Sequence, residues 1–140
     1  MARGQYSKSM KNTTNRFSFI LKPSTVPNGG VGVFALHDIA RNTHLELFLE
    51  DFEEEICVEK DVPEALRGYC LRQGNGKILC PKYFNRMDIG NYINHSGDAN
   101  MRYEKGKGYF ARRDIKSGEE LFANYRELGE PKDEQADYYR

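Results

Sequence analysis

No charge of either sign is in excess in this chain: 21 lysines and arginines face 21 aspartates and glutamates over 140 residues. Proteins that follow a phosphate backbone normally carry a basic surplus, so direct nucleic-acid binding is not expected. Cysteine is scarce as well. Cys57, Cys70 and Cys80 are odd in number and far apart, a pattern that supports neither a disulfide framework nor a zinc cluster, and no metal centre is expected. There is no run of about eighteen apolar residues and no apolar core of a secretory signal at the N-terminus, which leaves no membrane partner in view. Reduced thiols then point to an intracellular chain, with cytoplasm and nucleus both open. The length suits one domain with a modest core, and no internal repeat is present.

Charge is patterned even though it balances. Residues 1–16 carry Arg3, Lys8, Lys11 and Arg16 without an acid, and read as a basic, flexible tail ahead of a single domain over 17–140. Glu50, Asp51, Glu53, Glu54 and Glu55 form an acidic run. Such a run is ordinarily a solvated loop; its functional reading is an approach surface that steers a cationic peptide.

The periodicity is that of short strands. Phe17, Phe19 and Leu21 alternate with polar residues until Pro23, which predicts a half-buried strand. Further strands are expected over 31–36, 45–49, 101–104, 109–112 and 120–123, with Gly74-Asn75-Gly76 as a hairpin turn into residues 77–80. Residues 63–71 have the spacing of a short helix with Asp61 as its cap, and residues 131–140 suit a final helix. The residues alone thus indicate a mainly β domain.

Three blocks carry chemistry. In Gly29-Gly30-Val31-Gly32-Val33-Phe34-Ala35 the glycines by themselves mark a turn or bulge; with no following helix and no third glycine they make no dinucleotide fingerprint, but they let backbone approach a ligand closely. Asn94-His95-Ser96, preceded by Asp88, Gly90 and Asn91 and followed by Asn100, is dense in hydrogen-bonding groups, although a lone histidine more often packs or caps. Gly118-Glu119-Glu120-Leu121 leads into Tyr125. Among nine tyrosines a strand-end tyrosine is ordinarily a core or surface aromatic, yet its hydroxyl can also orient a reacting group.

In this order the blocks resemble the SET-domain family of protein lysine methyltransferases, which use S-adenosylmethionine; the match runs over 23–126. The resemblance implies a minimal, free-standing SET-domain fold, mainly β and β-clip-like, with several short-stranded sheets, a few short helices and a knot-like C-terminal threading. It implies that Gly30, Val31 and Gly32 line the cofactor pocket through their main chain, and that Asn94 and His95 hold the amino-acid portion and adenine edge of the cofactor. Asn100 would brace the loop. Tyr125 falls at the family's catalytic tyrosine, beside the cofactor. Tyr103 matches a tyrosine that bonds the substrate amine and limits the number of methyl groups. Tyr69 matches an aromatic facing cofactor or lysine, with packing of a short helix as its alternative. Ala123 leaves room for a methylated amine, so the product state stays open. Gly97 and Ala99 replace the motif's usual cysteine and proline, and Asn124 an acidic residue. Glu119 and Glu120 are assigned turn and strand-edge roles.

The implied activity is methyl transfer from S-adenosylmethionine to the side-chain amine of a lysine in a protein, a histone-like tail being favoured. The alternative is a non-catalytic module that binds a lysine-bearing partner. Relatives close the site with a cysteine-rich segment after the catalytic tyrosine, whereas residues 126–140 contain no cysteine. Tyr138 and Tyr139, or a second copy of the chain in a homodimer, are the expected covers.

Overall fold

The computed structural model describes residues 12–135. Its ten strands are short, as the closely spaced glycines and turn residues dictate: β1 Phe19–Pro23, β2 Val31–Ala35, β3 His44–Leu45, β4 Glu54–Val58, β5 Leu71–Gly74, β6 Lys77–Pro81, β7 Asn94–His95, β8 Met101–Glu104, β9 Gly108–Ala111 and β10 Phe122–Ala123. They form four small sheets, β1-β2, β3-β9-β8, β4-β6-β5 and β10-β7. All pairings are antiparallel except that of β10 with β7, which is parallel. The helical elements among the described residues are 3-10 segments of three to six residues. None of them is long and apolar enough to cross a membrane.

The principal core lies where β2, β3, β8 and β9 meet the segment leading into β10, with Val33, Leu45, Met101, Ala111 and Leu121 buried in it. Residues 119–121 run antiparallel to β2: Leu121 N–H donates to Val33 and Ala35 N–H to Glu119. A satellite core of Val62, Cys70, Ile78 and Cys80 lies against the β4-β6-β5 sheet.

Turn chemistry is where the sequence predicts it. Gly74, Asn75 and Gly76 all have positive φ, at 89°, 56° and 71°, and close the β5–β6 hairpin. Several other expectations need correction. The first strand is less buried than expected: Phe19 packs against the core, but Leu21 in the strand and Phe17 ahead of it are exposed, as is Ile20; β1 has only β2 to pair with. The strand expected over 45–49 stops at Leu45, because the next backbone groups bond elsewhere: Leu49 N–H donates to Asp88 Oδ2 at 2.6 Å and Leu47 C=O accepts from Gly90. The expected helix over 63–71 is a 3-10 turn, Glu64–Tyr69, and Asp61 does not cap it; Asp61 ends a separate turn, Glu59–Asp61, and Pro63 holds the cap position without a side-chain bond. Six residues that include Gly68 are too few to propagate an α-helix. The acidic run is only partly loop, since Glu54 and Glu55 open β4 and Glu53 pairs with Lys82 at 3.0 Å. Of the final helix expected over 131–140, the described residues show a 3-10 turn at Lys132–Glu134; Tyr138 and Tyr139 lie outside the described residues. Thr14, in the stretch read as a tail, bonds to His44 and Glu46 beside β3.

Candidate active site

Two cavities share a wall. The larger, of about 510 Å³, includes Phe48, Tyr103, Tyr109 and Ala123 in its lining. The smaller, of about 90 Å³, is bounded by Gly29, Gly30, Val31 and Asn94. Tyr69 and Tyr125 line both. Of the residues singled out in the sequence, Gly30, Val31, Asn94, Tyr69 and Tyr125 therefore converge on the small cavity. Tyr103 lies in the large one, where its ring stands 5.2 Å from that of Tyr109.

Tyr125 is placed by the turn at the end of β10. Asn124 leads out of the strand and its carboxamide oxygen accepts from Arg126 N–H, which starts the 3-10 turn Tyr125–Glu127. Tyr125 is then held at both ends by the strand that β10 pairs with. Its N–H donates to His95 Nδ1 at 3.0 Å, and its hydroxyl donates to the Ile93 carbonyl. His95 Nδ1 accepts the first of these bonds as the unprotonated nitrogen of the ring. His95 lines neither cavity; it stands behind Tyr125.

Asn94 is placed by Glu120. Its Nδ2 donates to the Val31 carbonyl at 3.0 Å and to Glu120 Oε2 at 3.3 Å. Glu120 is 6% exposed and also accepts from Ser24 Oγ, Thr25 N–H and Thr25 Oγ1, at 2.7, 2.8 and 2.6 Å. Burial by itself pushes this carboxyl up, but the bonds from Thr25, Ser24 and Asn94 outweigh it and hold the group below its ordinary value. Gly32 also lines neither cavity. It backs onto the Glu120 carboxylate, which occupies the space a side chain would need. Gly30 differs: its φ of +63° is the left-handed region, and a Cβ there would meet nothing within 4 Å.

Asn100 binds three segments together. Its Nδ2 donates to the Glu120 carbonyl at 2.9 Å, its Oδ1 accepts from Phe122 N–H at 2.9 Å, and its carbonyl accepts from Arg112 N–H at 2.8 Å. The side chain is buried and touches no cavity.

Sequence reasoning missed three contributors. Glu120 is a buried hydrogen-bond hub rather than a strand-edge residue; its only signal was a carboxylate next to a core leucine. Phe48 packs over Gly90, where a Cβ would lie 2.5 Å from its ring, so the glycine two residues after Asp88 marks an aromatic contact. Tyr109 is partly buried against the core, and desolvation, with Tyr103 and Glu54 nearby, pushes its phenol above the ordinary value. Among the described residues no group of three or more histidine, cysteine or acidic side chains could hold a metal ion.

A SET-domain family model matches residues 30–126. No curated protein matches the sequence. Among solved structures, a Plasmodium falciparum protein provisionally named as a histone methyltransferase is similar at 20% identity and a TM-score of 0.49, over 78% of this chain and 93% of that one. A chain of ctPRC2, in an autoinhibited conformation bound to S-adenosylmethionine, is similar at 24% identity and a TM-score of 0.52. The likeness covers 79% of this chain but only 15% of that one, and at this identity it bears on the fold alone.

Proposed function

The chain belongs to the SET-domain family, and on that premise we propose that it transfers a methyl group from S-adenosylmethionine to the side-chain amine of a lysine in a protein, with a histone-like tail favoured. The observation that carries this reading is the shared wall: Tyr69 and Tyr125 line both cavities, so a donor held in one and an amine entering by the other would meet between them.

The small cavity fits a cofactor of this kind. Its boundary includes Gly29, Gly30, Asn91 and Asn94, and a Cβ at Gly30 would stand in open space. Ligand pockets usually enclose about 300–1,000 Å³, so about 90 Å³ takes one portion of the molecule. Gly30, Val31, Asn94 and Tyr125 would hold it directly. Gly32 and His95 would act through Glu120 and Tyr125. When bound, S-adenosylmethionine supplies a methyl group activated by its sulfonium.

The chain's own part is orientation and exclusion of water. The Tyr125 hydroxyl donates to the Ile93 carbonyl, which fixes its direction, and a phenolic oxygen so directed would orient the amine by accepting its N–H. A free lysine, with a pKa near 10.4, must lose a proton before it can attack; the apolar wall of Ile93 and Ala123 disfavours the charged form. Tyr125 and Tyr103 would thus serve as orienting hydroxyls, with Tyr69 closing the passage.

The test is radiolabelled methyl transfer from S-adenosylmethionine to histones and cell-extract proteins, with Tyr125→Phe in parallel. Transfer to lysine that collapses in the variant supports the reading. The absence of both transfer and calorimetric binding of the cofactor would overturn it and support the non-catalytic module instead; cofactor binding without transfer would point to a missing substrate.

A further inference from the structure

The lining of the large cavity contains a single formally charged residue, Glu54, among aromatic, aliphatic and neutral polar neighbours. Glu54 opens β4, and no lysine or arginine among the described residues pairs with it, whereas its neighbour Glu53 is neutralised by Lys82. Four rings extend beside it in sequence of contact. Phe52 and Phe48 lie 4.6 Å apart, Phe48 and Tyr109 6.2 Å, and Tyr109 and Tyr103 5.2 Å between centroids. Glu54 is near enough to Tyr109 for its charge to act on that phenol. Glu54 is exposed at the start of β4, and partial desolvation at the cavity wall pushes its carboxyl up.

Aromatic faces attract cations through their quadrupoles, and an unpaired carboxylate in a partly desolvated wall does so more strongly. A neutral or anionic side chain gains nothing from either. We propose that Glu54, backed by Phe48, Phe52, Tyr103 and Tyr109, is the specificity-determining residue of the large cavity and selects a monocationic alkylammonium over a neutral chain of the same shape. The inference deepens the reading given above and rests on it for the identity of the molecule that carries the cation.

Selection and reaction make opposite demands, which explains why the carboxylate belongs at β4 and not beside Tyr125. An anion next to the nitrogen holds it protonated. The amine is therefore recognised as a cation at Glu54 and must reach the uncharged wall of Ile93, Ala123 and Tyr125 before its lone pair is free.

Titration of the full chain with butylammonium and with butanol, followed by the NMR shifts of Tyr103 and Tyr109, tests this. Butylammonium should bind more tightly than butanol, Glu54→Gln should weaken butylammonium by about tenfold or more while leaving butanol unchanged, and Glu54→Asp should restore part of the loss. Equal affinities, or butylammonium binding indifferent to Glu54, would overturn the assignment. In parallel, Glu54→Gln should raise KM for a lysine peptide by more than it lowers kcat. Glu54-dependent binding in a chain that neither transfers a methyl group nor binds the cofactor would leave this inference standing and remove the transferase reading; transfer with unchanged KM and charge-blind binding would do the reverse.

Discussion

Gly32 and Glu120 are in such close contact that a methyl group built on Gly32 would lie 2.1 Å from Glu120 Oε2. Gly32→Ala should therefore displace a carboxylate that carries four hydrogen bonds, costing about 1–3 kcal/mol, and loosen Asn94 with it. Gly30→Ala meets no neighbour and should cost about 1–2 kcal/mol for its left-handed backbone alone. Thermal unfolding and cofactor calorimetry on both variants check the contrast.

Tyr125→Phe removes the hydroxyl on Ile93 but keeps the ring and its backbone bond to His95. Stability should fall by only about 1 kcal/mol, and cofactor affinity should persist. Transfer should drop by about a hundredfold or more, because a misplaced amine loses its alignment. Rates and melting temperature measured on one preparation separate the two effects.

The depressed carboxyl of Glu120 predicts an acid limb. A group whose folded pKa lies below its unfolded value, near 4.5 here, contributes stability in full above that value and loses it as pH falls through the folded one. Wild type should exceed Glu120→Gln by about 1–3 kcal/mol at neutral pH, and the gap should close as pH drops below about 4.5. Urea unfolding across pH 2–7 would show it; a gap that widens on acidification would contradict the hub role.

Asn100→Ala would strip the Glu120 carbonyl and the Phe122 N–H of their buried partner. The expected loss is about 2–4 kcal/mol, large for a residue that touches neither cavity. Hydrogen exchange at the Phe122 amide should accelerate before that of the β4-β6-β5 sheet.

The thiols should react unequally. Cys70 and Cys80 are buried with sulfurs 3.0 Å apart, and burial pushes both above the ordinary thiol value. Cys57 is partly exposed. An aromatic disulfide reagent at pH 8 should titrate Cys57 in the native protein and the other two only on unfolding.

What could be read from the sequence divides along physical lines. Local turn chemistry was legible, since Gly74-Asn75-Gly76 has few conformations to choose from. So were the motif tyrosine and asparagine, because spacing and residue type survive without coordinates. The extent of the strand after His44 was not, because its alternation is the same whether the backbone bonds to a strand or, as here, to Asp88 and Gly90. Nor was the partner of Gly32: glycine signals open space, and only the tertiary fold reveals that a carboxylate fills it. Glu54 looked like one of several solvated acids, and it is exposed; its place in the cavity lining near Tyr109 depends on a sheet whose pairing spans distant segments.

The parallel ladder of β7 with β10 sets when the candidate site can assemble during synthesis. Asn94 and His95 are made well before Phe122, Ala123 and Tyr125, yet without the later strand they have neither their sheet partner nor the tyrosine they hold. On the proposed reading, a chain still being synthesised would transfer no methyl group until residue 125 has joined Asn94 and His95.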